Sequence, residues 1–282
     1  MKAKKSLGQN FLKSEIALKK IVEAGEIKKS DVILEIGPGK GALTEKLLAS
    51  GCQLVAVEKD RDLYELLKDK FQKEIAEGKL VLLNEDILKF QISNFKFPKY
   101  KIIANIPYNI TGAILKKFLT AEKQPERMVL MVQHEVASRI IARDGKESIL
   151  SMSVKAYGEP KMIMKVNKRY FSPAPKVDSA IIEIKNISRK NFPPLLVEEG
   201  AGGGDSKRLP PRPSGTPPQK RGEGTFEEKF WEIVKTGFAH KRKKLSSNLK
   251  GLISPQKLSS VNLGDKRAED LALSDWINLA KN

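Results

Sequence analysis

Apolar residues fall along this chain in two alternating rhythms, short unbroken runs and stripes at helical spacing. Asp31 to Ile36, Gln53 to Val57, Leu80 to Leu83, Lys101 to Ala104 and Arg127 to Gln133 are short apolar runs of the kind that form buried strands. Between them, Ser14 to about Ala24, the segment through Leu43, Leu47 and Leu48, Arg61 to about Ile75 and Ile110 to Leu119 place apolar residues three and four apart, which predicts helices. A helix through Val136 and Ile140, another over about Ser148 to Ala156, and strands at Met162 to Val166 and Ile181 to Ile184 complete the pattern. Strands alternating with helices predict an α/β fold, a Rossmann-like sheet with helices on both faces.

The rhythm stops between Asn191 and Gly224, where Pro193-Pro194, Ala201-Gly202-Gly203-Gly204 and Pro210-Pro211-Arg212-Pro213 cannot build a core. We expect a low-complexity insertion or linker over about residues 187–225. Its Lys207, Arg208, Lys220 and Arg221 leave open whether it is neutral or an RNA-binding arm. Helical spacing returns with Phe226, Phe230, Ile233, Val234 and Phe238 and continues through Leu245 to Leu249, Ala268 to Leu273 and Trp276 to Leu279. The expectation is a large domain over 1–186 and a small C-terminal α-helical domain over 226–282.

Charge narrows the partner. Lysine and arginine number 52 against 34 acidic residues, a net charge of +18, which points to a polyanion. No apolar run approaches the roughly 20 residues of a spanning helix, and Met1-Lys2-Ala3-Lys4-Lys5 lacks a signal-peptide core, so nucleic acid is favoured over a membrane. The single cysteine, Cys52, fits a reducing cytoplasm, and two histidines offer no cluster for a metal.

Candidate chemistry lies where predicted strands end. Glu35-Ile36-Gly37-Pro38-Gly39-Lys40-Gly41 joins the first long strand to a helix. Its glycines permit a tight turn and close approach of a ligand, and the helix start offers N–H donors. Dinucleotide dehydrogenases have such a turn too, but this form, with Pro38, resembles motif I of S-adenosylmethionine-dependent methyltransferases more closely. Glu58 ends the second strand, where a carboxylate accepts from both hydroxyls of a ribose; the alternative is a surface glutamate paired with Lys59. Asn105-Ile106-Pro107-Tyr108 ends the strand that begins at Lys101. Two convergent acceptors and an aromatic ring suit the exocyclic amine of a base, and the tetrapeptide resembles the Asn/Asp-Pro-Pro-Tyr signature of enzymes that methylate nucleobase amino groups. His134, at a strand–helix junction, reads as structural or RNA-facing. Two readings are open for Phe171, before the loop Ser172-Pro173-Ala174-Pro175-Lys176-Val177-Asp178-Ser179. It either stands out as a platform that sandwiches a base with Tyr108 or plugs the core.

That loop, the segment Gln9-Asn10-Phe11-Leu12 and the Asn105 to Tyr108 motif together resemble the ribosomal RNA adenine N6-dimethyltransferase family, over residues 1 to about 186 and again from about 226 to the end. The resemblance implies S-adenosyl-L-methionine as cofactor, held by Gln9, Asn10, Leu12, Gly37, Gly39, Glu58, Asp86 and Asn105. It chooses Asp86 over neighbouring Glu85 as acceptor for the cofactor's adenine, and makes Asn105, Ile106, Pro107, Tyr108 and Phe171 catalytic. Phe-Ser-Pro-Ala-Pro-Lys-Val-Asp-Ser is similar to the branch that dimethylates two adjacent adenosines near the 3′ end of 16S rRNA. The small ribosomal subunit is then the partner, Lys241, Arg242, Lys243 and Lys244 meet its RNA, and the protein is expected to be a cytoplasmic, metal-free monomer. Alternatives are a large-subunit rRNA methylase of the antibiotic-resistance type, a DNA adenine methyltransferase, a non-catalytic RNA-binding or transcription factor of the same fold, and an NAD(P) oxidoreductase.

Overall fold

A computed structural model of the chain describes residue 4 and residues 7–91, 97–192 and 225–281. It divides into two compact units, Met1–Arg189 and Lys190–Asn282. The linker expected from composition lies, over residues 193–224, outside the described residues.

In the first unit the elements follow in the order β1 (Phe11–Leu12), α1 (Glu15–Ala24), β2 (Val32–Ile36), α2 (Ala42–Ala49), β3 (Gln53–Val57), α3 (Arg61–Lys70), α4 (Gln72–Ala76) and β4 (Leu80–Leu83). Then come β5 (Lys101–Asn105), α5 (Thr111–Leu119), β6 (Arg127–Gln133), α6 (His134–Ile141), α7 (Ile149–Lys155), β7 (Glu159–Val166), β8 (Phe171–Ser172) and β9 (Ser179–Lys185). Seven strands form one sheet in the order β4-β3-β2-β5-β6-β9-β7, with β9 antiparallel between β6 and β7. All five residues of β2 are buried, as expected of a parallel strand covered on both faces. Local signals start the helices. Ser14 accepts from the Ala17 amide to cap α1, Asp60 accepts from the Asp62 amide to cap α3, and Ser148 and Ser151 form a reciprocal capping box on α7.

One helix departs from the periodic reading. The stripe from Arg61 to Ile75 breaks into α3 and α4 at Phe71, whose φ of −113° and ψ of 29° leave the helical region. The cause is packing. The Phe71 ring is buried against Gly41, where an added Cβ would come within 2.7 Å of it, so the ring's seat under the glycine turn overrides local propensity.

The sheet also creates the site. Chain order runs from β2 toward β3 and β4 on one side and from β5 toward β6 on the other, so β2 and β5 meet at a topological switch point. β2 pairs with β3 over five residues but with β5 only at Ile33–Lys101 and Leu34–Ile102. Beyond Leu34 and Ile102 the two strands part, and their C-terminal ends open a crevice of the kind that binds ligands in such sheets.

In the second unit, α8 (Phe226–Gly237), α9 (Leu245–Asn248), α10 (Pro255–Ser260) and α11 (Leu273–Lys281) form the small helical domain. Thr225 and Glu228 form a capping box at the start of α8. Phe230, Ile233 and Val234 are buried, and Trp276 of α11 stacks on Phe238 at 5.5 Å. Gly237 makes that approach possible: a Cβ there would lie 2.4 Å from the Trp276 ring. The short helix α10, opened by Ser254 and Pro255, has too little apolar periodicity to be read from sequence.

Candidate active site

A cavity of about 590 Å³ fills the crevice, lined by the ends of β2, β3 and β5 and by Glu85 to Leu88 after β4, and closed on one side by residues 7–13. It gathers Gln9, Asn10, Leu12, Gly37, Gly39, Glu58, Asp86, Asn105, Ile106, Pro107 and Tyr108, residues widely separated in sequence, around one space. Gly37, Gly39 and Gly41 have φ of 65°, 62° and 81°, a left-handed turn that other residues enter only with strain. At Gly39 space is limiting as well, since an added Cβ would sit 3.1 Å from the Phe11 ring.

Glu58 is not a surface glutamate. It is 6% exposed, its Oε2 accepts from the Gly39 amide at 3.1 Å and its Oε1 from the Asp60 amide at 2.8 Å. Burial pushes its carboxyl above the usual range, against the pull of those amides. Lys59 pairs with Asp86 instead, Nζ to Oδ2 at 2.9 Å. That lysine, together with the Leu88 amide on Oδ1, holds the Asp86 carboxyl below its usual range. Asp86 is therefore anionic and fixed at the tip of β4, whereas neighbouring Glu85 is exposed.

Glu35, in β2, also lines the cavity and has no role in the sequence reading, although it opens the glycine motif. It is 1% exposed, and burial pushes its carboxyl up to about 8, with the Thr44 hydroxyl donating to Oε2 at 2.8 Å and Glu58 nearby. A buried acid of this kind is protonated at neutral pH, which spares the pocket floor a second negative charge.

At the other end, Asn105 is the last residue of β5. Its Nδ2 donates to the Asn10 carbonyl at 3.2 Å, which fixes the amide's orientation and leaves Oδ1 as the acceptor. The Ile106 side chain is buried at 2%, and Pro107, with φ −61° and ψ 132°, keeps the backbone extended as the chain leaves the sheet. The Tyr108 hydroxyl shares a 2.5 Å hydrogen bond with the Ser179 hydroxyl, so the ring is tethered to β9 while it lines the cavity.

Phe171 takes the second of its two readings. It is 2% exposed and packs in the main core with Leu12, Ile103, Met131 and Ile181. The reason is that β8 pairs antiparallel with β1, Leu12 opposite Phe171 and Phe11 opposite Ser172, which turns the ring inward. It is not held out as a platform here, and Ser172 is the residue of β8 that lines the cavity. His134 donates its amide to the Asp178 carbonyl at 2.9 Å at the start of α6 and does not line the cavity. In the second unit Lys241, Arg242, Lys243 and Lys244 are exposed in the turn before α9. Lys244 caps that helix and pairs with Asp265 at 2.7 Å. Among the described residues no group of three or more His, Cys, Asp or Glu is placed to hold a metal, and no helix is long and apolar enough to cross a membrane.

Known proteins are similar to this chain. Ribosomal RNA small subunit methyltransferase A of Dehalococcoides mccartyi (strain CBDB1) is 37% identical over 289 residues, covering 99% of this chain and 88% of that protein. The protein of the same name from Francisella tularensis subsp. novicida (strain U112) is 37% identical over 287 residues, with 99% and 97% covered. Among solved structures, a dimethyladenosine transferase from Plasmodium falciparum matches with a TM-score of 0.72 at 24% identity, covering 95% of each chain. The 23S rRNA methyltransferase ErmE matches at 0.70 and 24%, covering 96% of this chain and 98% of its own. At that identity the two structures speak for the fold. The family model described as ribosomal RNA adenine dimethylase matches residues 1–195, and with relatives of this identity over nearly the whole chain the protein belongs to that family.

Proposed function

We propose that the protein transfers methyl groups from S-adenosyl-L-methionine to N6 of two adjacent adenosines near the 3′ end of 16S rRNA, in the cytoplasm during assembly of the small subunit. The observation that carries this reading is the pairing, in one cavity, of a buried strand-end carboxylate, Glu58, with the oriented amide of Asn105. A dehydrogenase has use for the first and none for the second. A non-catalytic RNA binder needs neither.

The residues fit the cofactor. Glu58 has lone pairs left for the ribose hydroxyls, Asp86 for the adenine amine, and the Gly37–Gly39 turn admits a ligand close to the backbone. When bound, S-adenosylmethionine supplies an electrophilic sulfonium methyl. The protein's task is to present the nitrogen. The lone pair of adenine N6 is delocalised into its ring. Asn105 Oδ1 and the Ile106 carbonyl accept the two N–H bonds, draw the nitrogen toward tetrahedral geometry and fix the direction of its lone pair. The tethered Tyr108 ring offers a face on which the base stacks. A mono-methylated amine retains one N–H, so one of the two acceptors suffices for the second transfer. No side chain is required as a strong base, because the amine becomes acidic once alkylated. The exposed Lys241 to Lys244 cluster contributes phosphate contacts that register the RNA.

Incubating the protein with methyl-labelled cofactor and under-methylated small subunits, then mapping the label, tests the assignment. Label on N6 of two adjacent adenosines near the 3′ end of 16S rRNA is the expected result. Label confined to large-subunit RNA or DNA contradicts it.

A further inference from the structure

Asp60 lies outside the motifs that identify the site, yet both oxygens of its carboxylate are hydrogen-bonded. Its side chain is 1% exposed. Oδ1 accepts from Lys4 Nζ at 2.6 Å and from the Asp62 amide at 3.1 Å, and Oδ2 accepts from Gln9 Nε2 at 2.7 Å. Lys4 also donates its backbone N–H to Gln9 Oε1 at 2.7 Å and reaches Asp62 Oδ2 at 2.8 Å, so Lys4 and Gln9 grip the acid as a pair. On its other side the Asp60 amide donates to Glu58 Oε1 at 2.8 Å. One residue thus joins the ribose-anchoring carboxylate to the N-terminal segment that walls the cavity.

Away from Asp60, that wall is held by the Asn105 Nδ2 bond to the Asn10 carbonyl at 3.2 Å and by the burial of Leu12 in the core. Among the described residues its sheet pairing is the two-residue ladder of β1 with β8, at the far end of the segment from Lys4. Between the ladder and Asp60, residues 7–10 pass over the cavity. A buried carboxylate is costly unless paired and hydrogen-bonded, so its satisfaction by residues of that segment ties the segment's position to the charge on Asp60.

We propose that Asp60 is a positioning residue that clasps the N-terminal segment, through Lys4 and Gln9, over the cofactor cavity and so sets how slowly the cofactor leaves. This rests on the assignment of the cavity to S-adenosylmethionine. Without the clasp, Gln9 and the chain beside it lose their anchor to the Glu58 end of the pocket, and the ligand's adenosine end is open to water.

Asp60→Asn is the informative variant, because asparagine caps α3 as well as aspartate does and the fold is preserved. It removes the charge that Lys4 meets and turns one donor against Gln9. With the full-length protein and S-adenosylhomocysteine as probe, we expect dissociation to be about tenfold faster or more, in line with loss of a charge-assisted contact. The KM for cofactor should rise with a smaller change in kcat. Lys4→Met, on a half-exposed side chain, should shift the rate the same way by less, and Lys4→Arg should restore it. The double variant Gln9→Glu/Asp60→Asn moves the carboxylate onto the segment and should recover part of the loss. Wild-type dissociation in both Asp60→Asn and Lys4→Met overturns the clasp. Failure of the wild-type protein to bind S-adenosylhomocysteine overturns the cofactor assignment itself, and the clasp with it.

Discussion

The side-chain amide of Asn105 donates to the backbone carbonyl of Asn10 at 3.2 Å, so the N-terminal segment and the end of β5 are parts of one site. An asparagine amide free to rotate would present oxygen and nitrogen to a substrate alike. Tying Nδ2 to a carbonyl leaves oxygen facing the ligand, as an acceptor for an amine must. The Asn105 end of the cavity, proposed to present the target amine, is therefore preorganised by a segment that also walls the Glu58 end.

Glu58→Gln should weaken binding of S-adenosylhomocysteine by on the order of 2 kcal/mol, since a neutral amide accepts less strongly from the ribose hydroxyls. Glu58→Ala should also lower thermal stability, because the Gly39 and Asp60 amides would lose their acceptor in a buried place. Titration calorimetry and a melting curve separate the two effects. An unchanged dissociation constant for both variants removes Glu58 from the site.

Glu35 gives a pH signature. Its folded-state pKa of about 8 lies above the ordinary carboxyl value of 4.5, so between these pH values the unfolded chain has lost a proton that the folded chain keeps. Stability from this group is fully present below pH 4.5 and is lost progressively as pH rises to about 8. Glu35→Gln should remove that slope, with a gain over wild type at pH 8 on the order of a few kcal/mol. Urea unfolding at several pH values checks it, and parallel pH profiles for the two proteins would show that Glu35 is ionised in the fold.

Replacing Lys241, Arg242, Lys243 and Lys244 with glutamine should weaken RNA binding across sequences and flatten its dependence on salt. Each lost phosphate contact lowers the log–log slope by roughly 0.7 to 0.9. Lys244 already pairs with Asp265, so the change should fall short of four full contacts. Binding to small subunits at several salt concentrations decides it. An unaltered slope means that the RNA backbone is met elsewhere.

Much of the sheet was legible in the sequence because its strands are continuous apolar runs bounded by polar residues. β3, β4 and β6 begin and end where the hydrophobic pattern does. Glu58, Asp86 and Asn105 could be singled out because each ends such a run, and strand ends share one edge of a parallel sheet. What local pattern could not show depends on contacts remote in sequence. Phe171 before a proline loop reads alike whether it faces in or out, and only its pairing opposite Leu12 turns it to the core. Phe71 breaks a continuous helical stripe because of Gly41. The burial of Glu58 has a similar cause, since the turn at Gly39, from another βα junction, donates its amide to it. Asp60 has no role in the sequence reading, because its grip on Lys4 and Gln9 has no periodic signal.

The central claim is that Asn105 presents the target amine, and the most direct measurement is single-turnover methylation of under-methylated small subunits by Asn105→Ala, with S-adenosylhomocysteine affinity measured on the same preparation. The rate should fall about a hundredfold or more while cofactor affinity changes far less, because a preorganised acceptor is lost at the reacting nitrogen. Near wild-type single-turnover methylation by this variant would contradict the account.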